Sequence, residues 1–113
     1  MVRTCDFEMD GVKLKIASMS TGEAKAFVKE GNEFLERMKS GEVKPEEWVS
    51  RRDRAVIASL NKAAGSTEWN EARIDADTDF ALLTALYDAI LKFSGLKPGE
   101  VTATLPSPKS TAA

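Results

Sequence analysis

Carboxylates and arginines are the residues of this chain whose types and spacing could do chemistry. Asp75, Asp77 and Asp79 alternate in the manner of the first half of a calcium-binding loop. The glycine that must follow the third ligand is Phe80, however, and the twelfth position holds Leu86 where a bidentate glutamate is needed. The spacing fails, and the three acids are read as charges placed ahead of a helix start, where the helix dipole favours them. Glu46, Glu47 and Asp53 could supply a general acid and base, but no nucleophile or electrophile accompanies them. They read as a solvated face.

Arg51-Arg52-Asp53-Arg54 is the densest positive run. A nucleic-acid site would reinforce it with further basic residues and stacking aromatics on the same face. Here Glu47 lies one turn before Arg51 and Asp53 interrupts the run, which predicts local pairing instead. The chain has no histidine, which excludes Ser-His-Asp and Cys-His catalysis and any His-ligated zinc. Its one cysteine, Cys5, excludes an internal disulfide and a four-cysteine metal centre, and is read as a small core residue. Neither a phosphate-binding glycine loop nor a dinucleotide fingerprint is present. The expectation is a non-enzyme with no cofactor and no metal.

Composition sets wider limits. In 113 residues, 42% hydrophobic and 30% charged, the balance is that of one ordinary globular domain. A net charge of −2 argues against nucleic acid as a partner. No apolar run approaches the roughly 18 residues that cross a bilayer, and the N-terminus lacks a signal-peptide core. A cytoplasmic protein without a membrane partner is expected.

The elements follow from local pattern. Asp10-Gly11 suits a two-residue type I′ turn, because both positions require positive φ. Pairing Met9 with Val12 sets Phe7 against Leu14 and Cys5 against Ile16 on one face. It also sets Glu8 against Lys13 and Asp6 against Lys15 on the other. A slip of one residue would destroy both agreements. Ser20-Thr21-Gly22-Glu23 fits a capping box. Ala24, Phe27, Val28, Gly31, Phe34, Leu35 and Met38 then form one stripe, ended by Gly41, with Glu33 and Arg37 as an outer pair. A second helix opens at Pro45, carries Val49, Val56, Ile57, Leu60, Ala63 and Ala64 on one side, and closes at Gly65. Residues 66–78 hold a possible helical turn at Thr67–Ala72 and then a connector, Asp75–Thr78. Asp77 or Thr78 is expected to cap a third helix that buries Phe80, Leu82, Leu83, Leu86, Tyr87, Ile90, Leu91 and Phe93. Gly95 followed by Leu96 suits a Schellman ending, and Pro98 prevents resumption.

The predicted fold is therefore α+β and mainly α. A β-hairpin over about 2–17 packs on three helices over about 20–40, 45–64 and 78–94. Residues 1–97 form a single compact domain, and the Pro/Ser/Thr/Ala-rich residues 98–113 a flexible, disordered tail.

Four side chains are candidates for contact with another protein. On a helical wheel Arg52 and Asp53 fall between Val49 and Val56 and interrupt the apolar stripe for a turn. Either they reach out from the edge of the core, or that turn lines a contact with another chain. Trp48 and Trp69 each stand in a polar neighbourhood beside a helix start, so half-buried staple and partner anchor are both open.

Taken together, the segment Asp10-Gly11-Val12-Lys13-Leu14-Lys15-Ile16, the Trp48-Val49-Ser50 helix and the run from Leu83 to Leu96 resemble the tail assembly chaperones of long-tailed bacteriophages, the lambda G-like group. The likeness spans most of residues 7–100 and rests on hydrophobic patterns and a small-residue tail. It implies a mostly helical helper in the cytoplasm of the bacterial host, not retained in the mature virion. Such a helper binds the tape measure protein and recruits tail tube subunits. The resemblance further implies a longer product made by a −1 ribosomal frameshift. The codons of Ser107-Pro108-Lys109 can be written to contain the slippery heptamer C-CCA-AAG, which marks them as the candidate frameshift region. Homo-oligomerisation through the hairpin edge or the Trp48 face is expected as well. The alternatives are a phage head–tail connector or neck protein, and a small nucleic-acid-binding regulator using Arg51, Arg52 and Arg54.

Overall fold

The computed structural model describes residues 3–96. The tail expected over 98–113, including Ser107, Pro108 and Lys109, lies outside the described residues, as does residue 2 of the expected hairpin. Two strands, β1 (Thr4–Met9) and β2 (Val12–Ala17), precede four helices. These are α1 (Thr21–Lys39), α2 (Pro45–Ala64), α3 (Glu71–Asp77) and α4 (Phe80–Phe93).

The hairpin forms in the expected register, from Cys5 opposite Ile16 to Met9 opposite Val12. Asp10 at φ 51° and Gly11 at φ 83° make the turn, whose twist matches that of the strands it joins. Cys5, Phe7, Met9 and Leu14 face the helices, while Asp6 and Lys15 pair at 3.2 Å in solvent. At the end of β2 the chain tucks inward, and Ile16, Ala17 and the following Ser18 are all buried.

One side chain anchors that tuck. The Ser59 hydroxyl accepts from the Ala17 N–H and donates to the Ala17 carbonyl, both at 2.8 Å and both buried. A serine in the middle of α2 thereby satisfies both backbone groups of the residue at the end of β2. Arg3 closes the other end. Its guanidinium lies 4.4 Å from the centre of the Phe93 ring and donates to the Phe93 carbonyl at 2.6 Å, where the helix leaves carbonyls without partners.

The ends of the helices carry the signals that were expected. Ser20 and Glu23 form the complete capping box. Gly41, Gly65 and Gly95 adopt the left-handed conformation, and the residue after each donates back to the carbonyl five positions earlier, as in Leu96 to Leu91 at 2.8 Å. The interior of α1 differs from expectation. Of its predicted stripe only Gly31 and Phe34 are buried, and Phe27, Val28, Leu35 and Met38 are half-covered. Arg37 bonds Glu47 of α2 at 2.8 Å instead of its expected partner Glu33.

Two corrections fall in the 66–80 region. There are four helices where three were expected: Glu71–Asp77 is helical, so Asp75 and Asp77 belong to a helix and not to a connector. Asn70 caps it by accepting from the Arg73 N–H at 2.9 Å. Ile74 is its only buried residue, and a single apolar position leaves no periodic signal in sequence. The following helix starts at Phe80, capped by the Asp79 carboxylate at 2.8 Å from the Leu82 N–H, not by Asp77 or Thr78. Its first residue overhangs the core: Phe80 is 66% exposed, against the expectation that it is buried. A side chain at the first helical position leans back towards the N-terminus, beyond the last layer of packing.

The core joins Ile16, Phe34, Val56, Leu60, Ile74, Leu82, Leu83, Leu86, Tyr87, Ile90 and Leu91. The α2 helix is its hub, packing against β2, α3 and α4. Replacement Ser59→Ala strands two buried backbone groups and should lower the unfolding free energy by about 1–3 kcal/mol. Urea denaturation checks this, and amide exchange at Ala17 should quicken in the same variant.

Candidate protein-binding surface

Helix α2 carries three charged residues into the interior, because the positions that complete its inward face hold Arg51, Arg52 and Asp53. Their fractional exposures are 3%, 1% and 4%. Of the two accounts open from sequence, side chains that reach out from the edge of the core do not describe them. They are interior residues of the single chain.

Arg51 turns towards α1. It donates to Glu30 at 2.5 Å and to the Phe27 carbonyl at 2.8 Å, and its guanidinium lies 3.8 Å from the centre of the Phe27 ring. Burial pulls its pKa down, against the neighbouring Tyr87 and the Glu30 carboxylate, which raise it. Arg54 stands 3.8 Å from the same Glu30. Arg51 and Arg54 are thus paired with Glu30 of α1 and not with Glu47, while Arg52 pairs locally with Asp53, the acid that interrupts the run. Glu47 is engaged by Arg37, whose hydrogen bond holds the Glu47 carboxyl below the usual range. With Glu47 on that side and Asp53 buried on another, the carboxylates weighed as an acid–base pair do not share a site.

Further along, Lys62 binds Glu23. Ion pairs therefore run the length of the antiparallel α1–α2 seam, from Glu23–Lys62 through Glu30–Arg51 to Arg37–Glu47. Beneath them lies an apolar cleft of about 340 Å³ that includes Met19, Ala26, Phe27, Ala55, Ala58 and Ile90.

Arg52 turns the other way, towards α3 and α4. Its Nε and Nη2 both lie 3.2 Å from Asp53 Oδ1, and its Nη1 is buried without a partner. The guanidinium packs against two aromatic rings, 5.2 Å from the centre of Trp48 and 4.6 Å from that of Phe80. Trp48 is half-buried and Phe80 largely free, so two rings sharing one buried cation open onto solvent.

Beside Phe80 is a small cavity of about 270 Å³, lined by Val49, Arg52, Asp53, Asp75, Asp79 and Phe80 among others. Carboxylate oxygens of Asp53, Glu71 and Asp75 lie within 4.8 Å of one another at its edge. Among the described residues this is the one acidic group close enough to hold a cation.

The four sequence candidates thus divide. Trp48, Arg52 and Asp53 come together, and Trp69 stands apart. The Trp69 backbone is bonded by Asn61 near the far end of α2, about 20 Å along the helix from Trp48. Its ring stacks with Arg73 at 3.8 Å. Phe80 and Glu71 were missed as site residues, and Asp75 was weighed as a calcium ligand and set aside. The one available signal was the i,i+4 repetition of negative charge at Glu71 and Asp75 in a segment with little apolar content.

No family model, curated protein or solved structure matches the chain. No helix among the described residues is long and apolar enough to cross a membrane.

Removing one member of the buried pair leaves the other charged and uncompensated. Asp53→Ala should therefore destabilise the fold by about 3–5 kcal/mol, whereas the double replacement R52M/D53L should recover most of that loss. Chemical denaturation of the three proteins reads the difference, and equal destabilisation in single and double variants would contradict the pairing.

Proposed function

We propose that this chain acts by binding other polypeptides, as a tail assembly chaperone of the long-tailed phage type, without catalysis. The observation that carries the reading is the largely free Phe80 ring beside Trp48. Aromatic side chains resting on a fixed cation lose little freedom on docking, which is the property of binding hot spots. The half-covered stripe of α1 adds a second apolar surface, of the sort that shields an amphipathic helix in a groove.

In this reading the clients are the phage tape measure protein and, through the assembly it nucleates, tail tube subunits. The helper works in the host cytoplasm and leaves before the virion matures. A frameshifted longer product remains part of the proposal. The two-stranded sheet has no further strand on either edge among the described residues. Self-association through that edge is proposed alongside the Trp48 face.

Arg51 and Arg52 are buried and paired, so of the three arginines only Arg54 could meet a phosphate. That weighs against the nucleic-acid alternative.

Co-expression with the tape measure protein of the same genome should yield a soluble complex, and W48A/F80A should reduce its recovery severalfold. The same chain should be missing from purified virions, and the gene should hold a slippery heptamer in its last third. Failure to co-purify, together with retention in the virion, would favour the head–tail connector. Light scattering showing a strict monomer across micromolar concentrations would remove the self-association part.

A further inference from the structure

Helix α1 is incompletely covered, and its bare side lies where the described chain leaves the fold. Of its 19 residues two are buried, Gly31 and Phe34. Ala24, Val28 and Leu35 recur along one side of it at helical spacing and are only half-covered. A groove of about 660 Å³ runs beside the first two, bordered by Met19, Ala24, Lys25, Val28, Lys29 and Leu96 among others. The end of α4 builds one wall of it. Ser94 Oγ accepts from the Met19 N–H at 2.9 Å, which fixes that helix end against the start of α1. Gly95, at φ 86°, and the bond from the Leu96 N–H to the Leu91 carbonyl then turn the chain so that Leu96 itself lines the groove. The segment after Leu96 therefore starts at the groove.

Residues 97–113 lie outside the described residues, but their sequence complements this groove. Glu100 is their one acid, and Val101 and Leu105 are their bulky apolar side chains. In the groove wall Lys25 and Lys29 stand one turn apart, a like-charge spacing that costs helix stability. Neither has an acidic partner within salt-bridge distance among the described residues. The lengths agree as well. An extended chain covers about 3.3 Å per residue, so Glu100 reaches about 13 Å from Leu96 and Leu105 about 30 Å. Along α1, Ala24 to Leu35 is about 16 Å. A segment tethered this closely has an effective concentration on the order of millimolar. A second copy or another protein would have to bind correspondingly better to take its place.

We propose that the groove is the docking site of this chain's own segment 97–105, which lies along α1 with Glu100 at Lys25 and Lys29 and with Val101 and Leu105 over Val28 and Leu35. The segment supplies the apolar cover that α1 lacks and occupies the face that another polypeptide would use. Any chain that docks on this side of α1 must first displace it. The inference goes beyond the chaperone reading and holds with or without it.

Paramagnetic broadening in nuclear magnetic resonance of the full chain tests this. A nitroxide is attached at Ala103→Cys, with Cys5→Ala removing the native thiol, and a second protein carries E100K/V101S/L105S in addition. In the first, the amide signals of Ala24, Val28 and Asn32 should lose intensity while Gly11 at the hairpin turn stays sharp. In the second, the loss at Val28 and Asn32 should disappear although the label keeps the same tether. No loss at Val28 and Asn32 in the first protein, or an equal loss in both, overturns the proposal. So does broadening of an isotope-labelled chain by the nitroxide of an unlabelled one, which would give the groove to a second copy. Amide exchange reads the same contact with Cys5 in place. Ala24 to Asn32 should exchange faster in E100K/V101S/L105S than in the native chain, and equal exchange would count against the docked segment. None of these outcomes bears on whether the chain is a chaperone.

Discussion

A guanidinium taken out of water must find its compensation inside the molecule, and at Arg52 that compensation sets the geometry of half the fold. Each buried ion carries a desolvation cost of several kcal/mol, which a carboxylate at hydrogen-bonding distance offsets. Asp53 lies next in the chain, so pairing both with its neighbour and with the interior requires α2 to be covered on that side. Cover comes from α3 and α4: Ile74 and Leu83 reach the same cavity, and the Phe80 ring closes over the cation. Helix α3 is too short to be stable alone and has one buried residue. Its existence depends on this contact.

The opposite side of α2 is held by different physics. There α1 is joined through ion pairs whose members are mostly part-exposed, and exposed pairs contribute little each. Only Gly31 and Phe34 of α1 are buried, and its Ala26 and Phe27 border an apolar cleft. The molecule thus has a firm half, formed by the hairpin, α2 and α4, and a more loosely attached helix along one side. An attachment made of surface charges is weakened by salt, and it exchanges readily for the charges of another chain.

Both features place the candidate chemistry at the ends and flanks of α2. The Ser59–Ala17 clamp fixes the hairpin on one face of that helix, and the Arg52 shelf opens on another. What they offer is shape and an aromatic pair.

The elements that the sequence determined by itself were those governed by near neighbours. The hairpin register was legible because Asp10-Gly11 dictates the turn and every facing pair then agrees. The capping box at Ser20 and the glycine endings at Gly41, Gly65 and Gly95 were legible because a helix end needs partners within a few residues. The unusual character of Arg52 and Asp53 could be seen on a helical wheel, but not their answer to it. Which carboxylate meets which arginine was decided only in three dimensions. Glu30 is 21 residues from Arg51 in sequence and outcompetes the nearer Glu47, because α1 crosses α2 there. Helix α3, the exposure of Phe80 and the convergence of Glu71 and Asp75 on Asp53 likewise came from tertiary packing. Local pattern records what a residue needs, and only the folded chain, where distant segments compete for the same volume and charge, decides what supplies it.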